Sequence, residues 1–476
     1  MEKPTKPSLC FWCPPEQKAG ASSAYILLHA NSYRWVLVNE TFRHIASLLD
    51  KGISADEVAA SISAQFSIPL QSARRDVDYA VDTLTEQGFF SSLPQDVPLR
   101  GSTLSDLFIH VTDRCNLSCP HCYYPSASFG DMAPGLVRRM IDEAIDLGGK
   151  TITFSGGEPL LHPHIKTLLQ YASRKLGVRL LTNGTLLDRE WASFLAGVGD
   201  VQVQVSIDGS RKEIHDPIRG SGTFSKVIEA VDHLQKAGLG EKINFSTTVM
   251  KQNLHDLCEI IRLAGKMGVP SARFLPLRKE GRAKNLWEAL GTDVATEDYE
   301  TFYDEVRGIG QSKSTSVQIS CGLSGFMLNL LDEISRDDIW CPVGKKIVVA
   351  TNGDIFPCVL MMREEFKLGN VFYKNLSEIM KSLEMSRVCK ELTERKTKIE
   401  KCFLCDWRNF CQAGCMGQAL DEKGTIWDTD RFCEYRQKLY QKTFQTLLKQ
   451  FTSHSKKEGD DHTEISDIEP ECNPIL

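Results

Sequence analysis

No stretch of this 476-residue chain approaches the ~18 consecutive apolar residues that a bilayer-spanning helix needs. The first residues, Met1 to Pro14, lack an apolar run of signal-peptide length. No membrane partner is therefore expected, and the chain reads as cytoplasmic. An excess of basic charge is missing too: 56 Lys and Arg stand against 62 Asp and Glu, a net charge of −6. That balance argues against a general nucleic-acid binder. There is no tandem repeat, and 42% hydrophobic residues with 25% charged ones exclude wholesale disorder. At roughly 100–200 residues per domain, the length suggests two to four domains.

Cysteine, by contrast, is abundant. The sixteen are Cys10, Cys13, Cys115, Cys119, Cys122, Cys258, Cys321, Cys341, Cys358, Cys389, Cys402, Cys405, Cys411, Cys415, Cys433 and Cys472. Disulfides are disfavoured in the cytosol, so this usage points to metal or redox chemistry. The distribution is uneven. Three fall at 115–122, none between 123 and 257, and a dense group occupies the C-terminal third. Cysteine used only as a small core hydrophobe would be scattered.

The chain divides into regions of different pattern. Residues 1–95 predict a hairpin, Tyr25–Ala30 and Tyr33–Val38 about an Asn31-Ser32 turn, then helices over 40–50, 54–66 and 72–87. Ser54 and Glu57 have capping-box spacing. Two strands followed by three short helices fit a winged-helix-like unit. Residues 104–290 alternate strand and helix signals. The strands are expected at Leu107–Thr112, Thr151–Phe154, Val178–Thr182, Val201–Ile207, Ile243–Val249 and Ala272–Leu275. The fold class is α/β, with a parallel sheet and right-handed crossovers. Periodicity alone does not separate an open sheet from a partial barrel. Residues 291–340 read as a helical bridge and residues 341–440 as a metal-dependent domain. Residues 453–476 read as a disordered polar tail.

Cys115-Asn-Leu-Ser-Cys119-Pro-His-Cys122 follows the first of those strands. Three thiolates so close can hold three corners of a cubane cluster and leave one iron open. Structural zinc is the alternative, but it closes with a fourth ligand. At these residues the chain resembles the radical S-adenosylmethionine (radical SAM) superfamily. The resemblance implies a partial (β/α)6 TIM-like barrel. It also implies a 4Fe-4S cluster whose open iron binds the amino and carboxylate groups of S-adenosylmethionine, and catalysis by a 5′-deoxyadenosyl radical. Cys115, Cys119 and Cys122 become the catalytic cluster ligands. An external reductant such as flavodoxin or ferredoxin is implied as well.

Further motifs arrive at successive strand ends. Ser155-Gly156-Gly157-Glu158-Pro159 resembles the family's GGE motif, which implies a methionyl-ammonium site at Gly156, Gly157 and Glu158. Asn183, in Thr182-Asn183-Gly184, follows the third strand. By resemblance Ser206 and Asp208 face the ribose or the methionyl carboxylate region, and Arg219 pairs with that carboxylate. Leu275, in Arg273-Phe274-Leu275-Pro276, would border the adenine, with Gly281-Arg282-Ala283 after it. These ends share one face of the barrel, where such folds place their chemistry.

Seven C-terminal cysteines, Cys341, Cys358, Cys402, Cys405, Cys411, Cys415 and Cys433, resemble the SPASM domain and its auxiliary 4Fe-4S clusters. Zinc ribbons fit the spacing poorly. By resemblance Cys402, Cys405, Cys411 and Cys433 hold an outer cluster. Cys341, Cys358 and Cys415 hold an inner one, whose fourth site is Cys321 or is open. Three 4Fe-4S clusters are thus expected. The N-terminal module resembles the recognition element of enzymes acting on ribosomally made, post-translationally modified peptides (RiPPs). Its role would be to hold a precursor's leader by strand addition. A DNA-binding winged helix is disfavoured by Asp76, Asp78 and Asp82 on its third helix. The combined expectation is a RiPP maturase that forms a thioether crosslink. Carbon–carbon crosslinking, formylglycine formation and a non-enzymatic electron-carrier or peptide-binding role are the alternatives.

Overall fold

The computed structural model describes residues 9–12, 24–29, 35–89, 103–124, 130–290, 294, 296–311, 316–321 and 341–458. The Asn31-Ser32 turn, Cys13 and Cys472 lie outside them. The N-terminal module carries a three-stranded antiparallel sheet in the order β1 (Leu9–Trp12), β2 (Tyr25–His29), β3 (Trp35–Val38). The expected hairpin is β2–β3. Strand β1 goes beyond the two-strand expectation, because four residues with no polar alternation give no period to read. Helices α1 (Glu40–Asp50), α2 (Ala55–Phe66) and α3 (Leu70–Glu86) follow. Asn39 caps α1, and Ser54 and Glu57 form the expected capping box.

Both faces of this sheet are buried, and alternation along its strands decides which residue goes where. Leu27 and Val38 pack on the module's own helices with Phe42, Ile45, Ile62, Val77 and Leu84. Ile26 and Leu28 face the other way, with Trp35 and Leu37, onto Trp407, Phe410, Tyr440, Phe444 and Leu448. The last three come from one helix, Cys433–Glu458, at spacings that place them on one stripe. Tyr435 and Leu439 of the same helix belong instead to the main core. The module is therefore seated on the C-terminal domain.

The large sheet has ten strands, in the order β10-β9-β8-β7-β6-β5-β4-β11-β12-β13. Strands β4 (Asp106–Thr112), β5 (Thr151–Gly156), β6 (Gly177–Thr182), β7 (Val201–Ser206), β8 (Ile243–Val249) and β9 (Ser271–Pro276) run parallel. Together they make the partial barrel of an α/β fold. Leu107, Ile109, Ile152, Phe154, Val203, Phe245 and Phe274 pack outward into one core with the surrounding helices. The residues between them, among them His110, Arg179, Gln204 and Arg273, occupy the opposite, inner face.

Two departures from the sequence reading follow. A seventh parallel strand, β10 (Gln318–Cys321), adds to β9 within the region read as helical. Helix Thr296–Gln311 precedes it. On the far side of β4, β11 (Lys346–Val349) continues the sheet in parallel, and β12 (Asp354–Phe356) and β13 (Gly369–Asn370) follow antiparallel. The helix from Cys433 also continues to Glu458, across the first residues read as a disordered tail. Polar composition suggested disorder there, but extending an already packed helix costs little per residue. Residues 459–476 lie outside the described residues.

Phe444 is fully buried, stacked on Trp407 at 5.2 Å and edge-on to Trp35 at 5.3 Å. Phe444→Ala is expected to cost about 3–5 kcal/mol. Hydrogen exchange should quicken in β2 more than in β6; equal quickening would argue against independent seating of the module.

Candidate active site and metal centres

The three-cysteine loop leaves the end of β4 and is held from three sides. Gly157 N donates to Thr112 O at 2.8 Å, and Glu158 N donates to Arg114 O at 2.7 Å. A Cβ on Gly156 would lie 2.3 Å from Thr112 O, and one on Gly157 would lie 2.3 Å from Arg114 O. Only glycine fits this approach, and Gly156 also has φ +136. From the third strand end, Asn183 Nδ2 donates to Asn116 Oδ1 at 2.9 Å. From beyond β9, Arg282 donates through its backbone N to Cys122 O and through Nε to Cys119 O, both at 2.9 Å. Gly281, at φ +56, lies against Cys122 and Tyr123.

Glu158 is wholly buried. Its carboxylate accepts from Leu160 N at 3.1 Å, Thr182 Oγ1 at 2.7 Å and Asn183 N at 2.7 Å. Burial lifts its pKa to about 7 against those hydrogen bonds. Asp208 is also wholly buried and accepts from Arg219 Nε at 2.6 Å and Thr248 N at 2.8 Å. Burial opposes its charge, but the Arg219 guanidinium holds the carboxyl below its usual range. His121, two residues after Cys119, lies 3.5 Å from Asp208, and Arg219 NH2 lies 3.4 Å from its Nε2. His215 Nδ1 accepts from Asp208 N at 3.2 Å. Burial lowers His121 and His215 to about 4, so both are neutral. Asp208 and Arg219 thus meet as a buried pair whose charges reach Cys119. Ser206 and Leu275 are half-buried on β7 and β9, either side of β8. The contacts that His121 and His215 make with Asp208 were not expected: His121 meets it from far along the chain, and His215 meets it across a loop with no readable period.

The C-terminal cysteines form two groups. Cys402, Cys405, Cys411 and Cys433 line one cavity, with Trp407, Arg436 and Tyr440. Cys415 is influenced by the charges of Cys358 and Cys341. Between the groups stand Arg436 and Asp430. Arg436 donates from Nε to Cys411 Sγ at 3.2 Å and from NH2 to Asp430 Oδ1 at 2.8 Å, while Asp430 Oδ2 accepts from Cys415 N at 2.7 Å. Arg395, also buried, donates to Ile426 O, Gly414 O and Asp428 O at 2.6–2.8 Å. Burial pushes Cys402 up to about 12. Bare thiolates are therefore disfavoured here, and these cysteines, with arginines beside them, would hold a cationic iron core that compensates their charge. Four thiols around one cavity fit a cluster. Cys321 ends β10, its Cα paired with that of Phe274, whereas Cys341 and Cys358 flank β11 and β12.

A polar bridge links the two halves of the site. Glu280 accepts from Arg363 at 2.6 Å, and Arg363 donates to Asp421 Oδ1 at 2.9 Å. Arg278 lies 4.7 Å over the Tyr123 ring and 3.5 Å from Asp421. These pairs span 83 and 58 sequence positions, which no local pattern reveals.

Two outcomes follow. Asp208→Asn strands the Arg219 charge and should destabilise the protein by about 3–5 kcal/mol in denaturant unfolding, more than Asp208→Asn on an Arg219→Met background. Glu158 binds its proton more tightly when folded. Its contribution is therefore full below 4.5 and fades as pH rises through about 7. Thermal melts of cluster-free protein should show that fade, and Glu158→Gln should flatten it.

Three family models match this chain. The radical SAM superfamily matches residues 109–264, the SPASM iron-sulfur cluster-binding domain 341–406, and coenzyme PQQ synthesis protein D (PqqD) 24–89. The AdoMet-dependent heme synthase of Methanosarcina barkeri is 28% identical over 68% of this chain and 95% of its own length. The mycofactocin maturase MftC of Mycobacterium ulcerans is 28% identical over 64% of this chain and 81% of its own. Among solved structures, anSMEcpe with bound AdoMet aligns with a TM-score of 0.59 at 22% identity, covering 74% of this chain and 99% of that one. SuiB of Streptococcus suis, bound to precursor peptide SuiA, aligns with a TM-score of 0.59 at 16% identity, covering 85% and 95%. The matched domains imply iron-sulfur clusters and S-adenosylmethionine. The chain belongs to the radical SAM superfamily and is a radical SAM enzyme, with a SPASM domain behind its barrel and a PqqD-type domain in front.

Proposed function

We propose that this enzyme modifies a ribosomally made precursor peptide in the cytoplasm. The observation that carries this reading is the N-terminal module. The heme synthase resembles 68% of the chain at 95% of its own length, while the PqqD match at 24–89 lies ahead of the barrel. A tetrapyrrole has no leader for such a module to hold. SuiB was solved with a precursor peptide, and MftC is named a maturase. Among the described residues β3 pairs only with β2, so its other edge accepts an added strand. Trp35 and Leu37 pack one face of β3 on Trp407 and Phe444 of the C-terminal domain.

Cys115, Cys119 and Cys122 would hold the radical cluster, and Arg219 the methionyl carboxylate, with Asp208 and His121 fixing its orientation. Glu158, Gly156, Gly157 and Asn183 would shape the methionyl end, and Ser206 and Leu275 the nucleoside end. Bound there, S-adenosylmethionine supplies the radical that abstracts a substrate hydrogen. Cys402, Cys405, Cys411 and Cys433 would hold an outer auxiliary cluster. Cys341, Cys358 and Cys415 would hold an inner one, whose fourth position takes Cys321 or a substrate thiolate. The total is three 4Fe-4S clusters, fed by an external flavodoxin or ferredoxin. A substrate thiolate at the inner site would suit thioether formation.

Anaerobic reconstitution with S-adenosylmethionine and reductant should give 5′-deoxyadenosine, lost in Cys115→Ala. Continued cleavage in that variant would sink the assignment. Iron and sulfide should approach three cubanes per chain and fall by one in Cys402→Ala/Cys411→Ala. For the leader, a short peptide encoded beside the gene should bind the full-length protein and protect β3 amides from exchange. Protection confined to the barrel would remove the recognition role.

A further inference from the structure

The inner face of the barrel carries an imbalance of charge that nothing in the site above uses. Arg179 on β6, Arg273 on β9 and Lys346 on β11 alternate with residues packed outward, so all three occupy the inner face. Asp106 on β4 joins them, while Asp354, on the same face of β12, is already paired with Lys367 at 2.8 Å. The Asp106 Oδ2 lies 2.8 Å from Lys346 Nζ and 4.0 Å from Arg179 NH1. Its Oδ1 is buried with no hydrogen bond. Arg179 otherwise reaches only Thr153 Oγ1, at 3.5 Å.

Arg273 has no hydrogen-bond or ion-pair partner among the described residues, although its strand lies inside the sheet between β8 and β10. Its side chain is accessible, yet protein encloses it closely enough to lower its pKa by burial and by the charge of Arg179. The group is thus solvent-accessible on the inner face of the sheet. The other inner-face residues at these levels are neutral: Gln204, Asn244, Ser246, Ser271 and Phe108. Three cations thus share one carboxylate in a lumen, where mutual repulsion is poorly screened. A planar guanidinium with unused donors suits a carboxylate in bidentate geometry.

We propose that the lumen binds a carboxylate of the substrate, with Arg273 as its anchor and Arg179 beside it. This rests on the peptide-modifying reading above and names what the inserted segment must carry. Arg273 lies three residues below the end of β9, and Arg179 three below the end of β6. That depth is about 10 Å at roughly 3.3 Å per residue. A carboxylate held there leaves the residue about three positions further along an extended peptide at the level of the strand ends, beside the three-cysteine loop. The carboxylate is either an acidic side chain or a free C-terminus, and both present the same group to Arg273.

Three small probes separate these sources: N-acetylglutamate amide, N-acetylglutamine and N-acetylglutamine amide, which carry a side-chain carboxylate, a terminal carboxylate and none. Isothermal titration into the reconstituted full-length enzyme, at constant ionic strength, should give one acid a Kd at least tenfold tighter than the neutral probe. The tighter acid identifies the source. Arg273→Met should bring the ratio close to one, and Arg273→Lys should keep part of it. Equal affinity for acids and neutral probe, or a preference unchanged in Arg273→Met, would overturn the proposal. Failure of the wild-type enzyme to cleave S-adenosylmethionine would instead overturn the functional reading and leave this binding test intact.

Discussion

The approach of the Gly156-Gly157 backbone to the carbonyls of Thr112 and Arg114 is the contact on which the catalytic end of the barrel depends. It lets two backbone N–H groups clamp the root of the three-cysteine loop. It also aims the Glu158 carboxylate onto Thr182 and Asn183 at the next strand end. Asn183 then returns to Asn116 inside the loop. Three strand ends close in a ring around the cluster ligands, and a side chain at either glycine would open it. Such crowding positions the cysteines before any cluster is bound, so less ordering entropy remains to be lost on assembly.

Charge is managed by the same economy of position. At each cysteine group a buried arginine stands next to the sulfurs and is oriented by a buried carboxylate or by backbone carbonyls. Arg219 and Asp208 serve Cys119, Arg436 and Asp430 serve Cys411 and Cys415, and Arg395 lies near Cys415, Cys402 and Cys341. Isolated, each pair would be a costly burial of charge. Beside thiolates they offset negative charge that the low-dielectric interior would otherwise oppose. The barrel lumen reverses this logic. There the cations outnumber the carboxylates, and the balance is left for a ligand to complete.

The N-terminal module is integrated by a sheet with two apolar faces. One face meets its own helices, and the other meets Trp407, Tyr440 and Phe444 beside the outer cysteine group. Trp407 and Tyr440 also line the cavity of that group. A leader strand added to β3 would therefore extend a sheet that already rests on the enclosure of the outer cysteine group.

Much of this was legible in the sequence. The six strands of the barrel repeat apolar residues at period two with glycines and polar residues at their ends, so their positions could be read locally. The cysteine spacing showed which sulfurs belong to one short loop, because ligands a few residues apart must be near in space. Ser54 and Glu57 announced their cap for the same reason. Strand β10, strand β1 and the helical extension to Glu458 were not legible, since their segments are too short or too polar to carry a period. Nor were His121 with Asp208, Arg436 with Cys411, Glu280 with Arg363, or the unpartnered Arg273. Local chemistry, set by spacing along the chain, belonged to the sequence. Which charges meet, which stay unmet, and which face of β2 and β3 the C-terminal domain covers were decided only by the tertiary structure, because each depends on residues brought together across tens to hundreds of positions.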